Sequence, residues 1–360
     1  MSFKAQQHLL SIVRDSDILG DRAGVLRLDL NERPSAFPAE VMDDILSGVT
    51  SEDLTAYPDY TPIYTMLGRH LNLPQSHMAI GAGSDGIIRR AFQVAVEPKS
   101  RVVRTEPTYR MYDIWARAFG AEQSCVPYDS ALRLDLDRLL GAIGDGTRLV
   151  AIANPDQPTG AVKDIHALRA VAEAAQKAGA LFLIDEAYYP FCEVSGLSLI
   201  AEFDNVLVTR TFSKVYGLAG LRVGYACAQP HIIQALQTVR GPGEISAISA
   251  RIACYMLAHP EIAEGFREGA ESGRAALIDC CGRHGMSAPE CAGNFQLLKM
   301  PEGIPPGDLV DFLKQRAIHI RAGFATPGMT EFIRVTLDSP IVLQPLFDGI
   351  GDFFATRAAT

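Results

Sequence analysis

The chain has 360 residues, more than one hydrophobic core usually serves, so a larger and a smaller lobe are expected. Its formal net charge of -9 argues against broad binding to nucleic acid or to an anionic membrane surface. Seven cysteines without a C-x-x-C, a start without signal-peptide layout and no apolar run of bilayer length point to reduced thiols and a cytoplasmic location.

Residues 1–50 read as an arm with one helix over 38–46, which leads into the Y-P-D-Y block that begins at Tyr57. A short strand at 77–80 ends in the turn 81–86, G-A-G-S-D-G, and a helical pattern follows. The turn matches G-x-G-x-x-G, and Glu106 lies about 20 residues on, after a strand at 101–104, as in a dinucleotide site. An NAD-dependent enzyme is therefore one reading. The same backbone amides at a helix N-terminus would serve the phosphate of another cofactor, with Gly83 and Ser84 as contacts. Tyr109, after Pro107 and Thr108, supplies a ring that can stack on a flat cofactor.

The strand 149–153 ends at Asn154, and two prolines with Gly160 then force a rigid turn. Asn154 either forms that turn or hydrogen-bonds a cofactor ring oxygen. A helix over 165–178, with Leu168, Val171, Ala172 and Ala175 on one face, bridges to a buried strand at 181–184. That strand delivers Asp185 into the crevice where open α/β sheets bind ligands. By itself Asp185 suits a helix cap or a surface ion pair; a carboxylate there also suits a protonated pyridine nitrogen. Tyr188, three residues on, can donate to a ring oxygen.

The strand 205–209 leads into T-F-S-K, which sets Lys214 among hydroxyls, glycines and an arginine. Lys214 suits an imine with a phosphorylated aldehyde cofactor, and Thr211, Ser213 and Arg222 suit its phosphate. Asn154, Asp185 and Lys214 at three successive strand ends favour pyridoxal 5'-phosphate over a nicotinamide. The alternation of strands and helices predicts a mostly parallel sheet with helices on both faces. Beyond Pro260 the strand-like runs 295–298, 317–320 and 332–337 alternate with helices and read as a small α+β lobe. The expected division is an arm, 1–50, joining the small domain, a large domain, 51–260, and a small domain, 261–360. His319, Cys280 and Cys281 read as structural, the eight histidines form no metal-ligand spacing, and Ser84 lies in no G-x-S-x-G elbow.

With these blocks in place, the chain resembles the fold-type-I pyridoxal-phosphate aminotransferases, most closely the histidinol-phosphate aminotransferase branch. The matching segments are 28–31, 57–60, 81–84, 107–109, 154–160, 185–188, 211–225, 293–295 and 332–336. The resemblance implies Lys214 as covalent anchor and proton shuttle, Asp185 on the pyridine nitrogen, and Asn154 with Tyr188 on the ring oxygen. It implies Tyr109 stacked on the ring, and the phosphate held by Ser84, Thr211, Ser213 and Arg222. A homodimer follows by the same implication, with Tyr57 reaching the phosphate across the interface. Arg334 would grip the substrate carboxylate, with Asn31 and Arg321 also lining the substrate site. The expected reaction is ping-pong amino transfer between an amino acid, or a histidinol-phosphate-like amine, and a 2-oxo acid. Decarboxylation, oxidation or cyclisation on the same cofactor is the alternative; a non-catalytic regulator would need a DNA-binding module for which there is no room. Four features depart from the family pattern: residues 17–21 lack an aromatic, Arg33 stands where a second asparagine is usual, the segment 240–246 replaces one richer in Pro, Tyr and Asn and puts Glu244 near the presumed rim, and the neighbours 322–324 of Arg321, which aligns with an arginine that can bind a substrate phosphate, are atypical. Glu244 suits either recognition of a cationic substrate or a structural role.

Overall fold

The computed structural model describes residues 7–12, 22–324, 326 and 328–358. Seven strands form one sheet: β1 (Met78–Ala82), β2 (Arg101–Glu106), β3 (Glu122–Pro127), β4 (Thr147–Ala153), β5 (Leu181–Asp185), β6 (Val206–Thr211) and β7 (Val223–Ala228). Their order is β1-β7-β6-β5-β4-β2-β3. Strands β6, β5, β4, β2 and β3 run parallel to one another, and β7 is antiparallel to both of its neighbours. The mostly parallel sheet is as expected, although β3 and β7 were not anticipated. β3 is an edge strand in which only Val126 is buried, so it carries no apolar run. β7 lies inside the segment whose glycines and arginine suggested a cofactor loop.

Period-two alternation feeds a separate core on each face of the sheet. Val150, Ile152, Phe182 and Ile184 pack with Leu168, Val171, Ala172 and Ala175 of helix α1 (Ile165–Lys177). Asp164 starts this helix by accepting from the Ala167 N–H at 2.8 Å, an ordinary N-cap. Leu149, Ala151, Ala153 and Leu183 face the other way, against Ile87, Ile88, Ala91 and Phe92 of the helix Gly83–Ala95. Buried on both sides, the central strands hold their C-terminal ends in fixed positions, as a site requires.

The C-terminal part has its own core. Strands β8 (Phe295–Lys299) and β9 (Phe332–Thr336) pair antiparallel, and Leu298, Ile333 and Val335 pack against Leu277, Leu343 and Leu346 of two long helices. Leu28 of the arm is fully buried in this core, a burial worth roughly 1.5–3 kcal/mol. The arm also adds Leu26–Arg27 as a parallel partner to Ile318–His319, all that forms of the strand expected at 317–320. Among the described residues no helix is long and apolar enough to cross a membrane. All seven cysteines are free thiols, and Cys280 and Cys281 are buried. Residues 17–21 lie outside the described residues.

Candidate active site

Parallel register aligns the ends of three neighbouring strands. Ala153 pairs with Asp185, and Asp185 with Thr209, so Asn154, Asp185 and the 211–214 segment emerge side by side. Asp185 is buried; its Oδ2 accepts from the Tyr112 hydroxyl at 2.9 Å and its Oδ1 from Thr209 Oγ1 at 3.2 Å. Burial raises its pKa to about 7, with Asp85 adding to the rise and the two hydroxyls opposing it. Lys214 Nζ donates to the carbonyls of Leu30 at 3.1 Å and Asn31 at 2.9 Å. Enclosure of its amine and, after it, the Arg334 charge bring its pKa down to about 8. Tyr188 accepts from Asn31 Nδ2 at 2.9 Å, and burial pushes its phenol up to about 12.

These shifts make stability pH-dependent. Asp185 is raised from 3.8, so the stability of its protonated form is fully present below that value and lost as pH rises through about 7. Lys214 is lowered from 10.5, so its contribution is present above that value and lost as pH falls through about 8. Each slope amounts to about 1.4 kcal/mol per pH unit at most. The cofactor-free protein should therefore have its lowest urea midpoint at about pH 7 to 8, between the two shifted values. The acid limb should be missing from Asp185→Asn. Identical acid limbs in the two proteins would mean that the carboxyl is not buried as described.

A compact anion cradle stands beside these groups. Thr211 Oγ1 donates to Ser213 Oγ at 2.9 Å, and Arg222 Nη1 donates to the same oxygen at 3.3 Å. Arg222 Nη2 lies 3.3 Å from Asp85 Oδ2, and the Tyr109 hydroxyl donates to Asp85 Oδ1 at 2.5 Å. Gly83 opens the adjoining helix at φ +71°, where a Cβ would come within 2.6 Å of Arg222 Nη2. A Cβ on Gly224 would meet the Gly83 backbone at 2.4 Å, so β7 can approach the helix start only as glycine. Ser84 is buried in that first turn.

The remaining expected residues are distributed as follows. Asn154 is buried, its Oδ1 accepting from the Lys163 N–H at 2.8 Å and its Nδ2 donating to the Lys163 carbonyl at 3.1 Å. One amide hydrogen is left for a ligand. Arg334 is buried near Lys214, donates from Nη2 to the Asp29 carbonyl at 2.6 Å, and keeps a buried Nε with no partner. Arg321 is its cross-strand neighbour through two backbone hydrogen bonds; burial lowers the Arg334 pKa, and the Arg321 charge adds to the lowering. Tyr57 is 92% exposed, and among the described residues no hydrogen bond or ring contact ties it to the other site residues. Glu244 pairs with buried Arg90 at 3.1 Å and so braces the glycine turn, which is its structural alternative. Arg33 packs its guanidinium 4.5 Å from the Phe37 ring centre and 5.0 Å from that of Phe266, joining arm to helix. Glu106, the acid of the dinucleotide reading, is tied to Arg104 at 2.7 Å.

Three residues of the constellation escaped the sequence reading. Asp85 lies in the first turn of the glycine-opened helix. Tyr112 follows Tyr109 by three residues, with the two rings edge to face at 5.6 Å. Thr209 is the cross-strand neighbour of Asp185. Helical spacing and strand pairing were the available signals, and each needed the register to be known.

A buried carboxylate near a shielded amine, a glycine-lined cradle with hydroxyls and a guanidinium, and an orphaned Arg334 Nε fit pyridoxal phosphate and an anionic substrate. Fold and site together define a fold-type-I pyridoxal-phosphate enzyme. Residues 52–342 match the family described as aminotransferase class I and II, and the chain belongs to that family. It is 30% identical over 326 residues to histidinol-phosphate aminotransferase 1 of Cupriavidus pinatubonensis, covering 89% of this chain and 86% of that one. Over 288 residues it is 32% identical to the histidinol-phosphate aminotransferase of Symbiobacterium thermophilum, covering 79% and 78%. The crystal structure of histidinol-phosphate aminotransferase from Sinorhizobium meliloti in complex with pyridoxal-5'-phosphate superposes with a TM-score of 0.87 at 25% identity, covering 99% of both chains. The protein is thus a pyridoxal-phosphate-dependent aminotransferase; neither the dinucleotide reading nor another pyridoxal-phosphate reaction is favoured.

Proposed function

We propose that this aminotransferase takes histidinol phosphate, or an amino acid bearing a comparable anion, as amino donor and a 2-oxo acid as acceptor. The observation that carries the reading is the Arg321–Arg334 pair: cross-strand partners joined by two backbone hydrogen bonds project to the same face. Two guanidiniums together suit a group of more than one negative charge better than a lone carboxylate does. The named relatives support the same donor. Initial rates with histidinol phosphate, histidinol and a panel of amino acids, each with 2-oxoglutarate, test it. A preference for donors that carry neither a phosphate nor another anionic side-chain group would overturn it.

Pyridoxal phosphate supplies a sink for the electron pair left on the substrate carbon. The chain's residues do the rest. Asp185 Oδ would hold the proton on the ring nitrogen. Lys214 Nζ, with its pKa lowered to about 8, keeps a fraction of uncharged amine near neutrality that can take a proton and return it. Tyr188, fixed by Asn31, and Asn154, fixed by Lys163, would orient the ring oxygen, and Tyr109 would cover the ring. Thr211, Ser213, Arg222 and the amides of Gly83 and Ser84 would hold the phosphate. Half-reactions through one site give ping-pong kinetics. Arg334→Ala is expected to lower kcat/KM by about a hundredfold, and Arg334→Lys to recover little, because a lysine lacks the fork. Equal kinetics in wild type and Arg334→Ala would contradict the assignment.

A homodimer is part of the proposal. Tyr57, in the loop after the short helix Glu52–Thr55, is 92% exposed; Leu54 on that helix is 71% exposed and Leu46, at the end of the helix Ala39–Ser47, 59%, apolar side chains that an interface would cover. Sedimentation should give twice the chain mass, and Tyr57→Phe should raise the cofactor dissociation constant several-fold without changing that mass. A monomeric, fully active enzyme would exclude Tyr57 from any site across an interface. The division at about residue 260 into large and small domains, with an arm up to residue 50, belongs to the same proposal. A cytoplasmic site of action is supported by the seven free thiols.

A further inference from the structure

Behind the cofactor crevice lies a buried charge pair that the reaction does not use. Asp156 is fully buried, and Lys163 is buried beside it with Nζ 3.4 Å from Asp156 Oδ2. Oδ2 also accepts from Thr105 Oγ1 at 2.8 Å and the Tyr128 hydroxyl at 2.5 Å. Oδ1 accepts from Thr108 Oγ1 at 2.6 Å and the Gln157 N–H at 2.8 Å. Five donors saturate the acceptor sites of one carboxylate. Lys163 places its other hydrogens on the carbonyls of Ala153 at 3.0 Å and Ala161 at 3.4 Å.

The donors come from separate segments. Thr105 is the penultimate residue of β2 and Thr108 directly precedes Tyr109, whereas Gln157 and Lys163 belong to the turn that begins at Asn154. Lys163 in turn grips the Asn154 amide through its own backbone N–H and carbonyl. One carboxylate therefore joins the loop bearing the ring-stacking tyrosine to the turn bearing the ring-oxygen asparagine. A packing role alone would be met more cheaply by apolar side chains of similar volume, since burying an ion pair costs desolvation on both partners.

We propose that Asp156, neutralised by Lys163, is a positioning residue that fixes the separation of Tyr109 and Asn154 and so presets the width of the cofactor slot. The inference rests on the reading of Tyr109 and Asn154 as cofactor contacts. It makes Thr108, which need not touch the cofactor, a determinant of cofactor affinity.

The test is titration of cofactor-stripped full-length protein with pyridoxal phosphate, followed by quenching of intrinsic fluorescence, with thermal unfolding measured alongside. Thr108→Val removes one link without stranding a charge. It should raise the dissociation constant about tenfold while the unfolding temperature of the stripped protein stays near wild type, and Thr108→Ser should restore affinity. Asp156→Asn combined with Lys163→Met, which removes both charges, should weaken binding at least as much. A folded Thr108→Val protein that binds within about twofold of wild type, while Tyr109→Ala and Asn154→Ala bind poorly, would overturn the clamp alone. Unchanged binding in Tyr109→Ala and Asn154→Ala would instead remove the underlying reading, and the clamp with it.

Discussion

Replacing Lys214 by alanine should abolish amino transfer and the borohydride-trappable adduct together. Both depend on one amine. Its nitrogen is held by the carbonyls of Leu30 and Asn31, and its pKa is brought down to about 8 by enclosure and by the Arg334 charge. General acid–base catalysis by a placed side chain is worth up to about 10^4-fold, and loss of covalent catalysis adds to that, so turnover should fall by at least this factor. Arginine should not substitute, because a guanidinium stays charged and cannot take the proton. Alanine removes a buried cation, so the variant should fold at least as stably as wild type near neutrality. The loss therefore cannot be attributed to unfolding. Turnover by Lys214→Ala within about a hundredfold of wild type would refute the assignment.

The second large effect concerns Asp185, and its two consequences have opposite signs. Asp185→Ala should reduce turnover by about 10^3-fold, the scale seen when one preorganised electrostatic contact is withdrawn from a reacting centre. The cofactor-free variant should nonetheless resist urea better than wild type above about pH 7, because the carboxylate whose burial raised the pKa is gone. Asp185→Asn should behave similarly, since an amide can fill the space and meet Tyr112 and Thr209 but carries no charge. An inactive variant that is also less stable at alkaline pH would point to general disruption rather than loss of the ring-nitrogen partner. An active one would put the carboxylate elsewhere in the mechanism.

Much of this arrangement could be read in the chain because its signals are local. An apolar run ending in one polar residue identifies a buried strand and its C-terminal side chain, which is why Asn154, Asp185 and the lysine segment could be singled out. What stayed hidden was non-local. Tyr112 and Thr209 become partners of Asp185 only through a helix docking and a parallel register. Asp156 sits in the turn after Asn154, and its donors gather only where the ends of β2 and β3 meet that turn. Glu244 could not be told from a substrate-recognising acid, because its partner Arg90 lies 154 positions away in the chain. Edge strand β3 lacked an apolar run, and antiparallel β7 was masked by the glycines that suit a cofactor loop. Arg334 was legible only through the resemblance, since an arginine in an alternating strand ordinarily faces outward.

Asn31 donates to Tyr188, receives Asn294 Nδ2 on its carbonyl at 3.0 Å, and donates its backbone N–H to Thr336 Oγ1 at 3.0 Å, a partner 305 residues later. On the ribosome, then, the sheet with its aspartate and lysine can be complete while the wall facing them is still untranslated. A nascent chain halted before residue 336 has every residue of its sheet and cradle, but not a closed reaction chamber. Competence arrives only when the strand 332–336 returns to fasten the segment around Asn31.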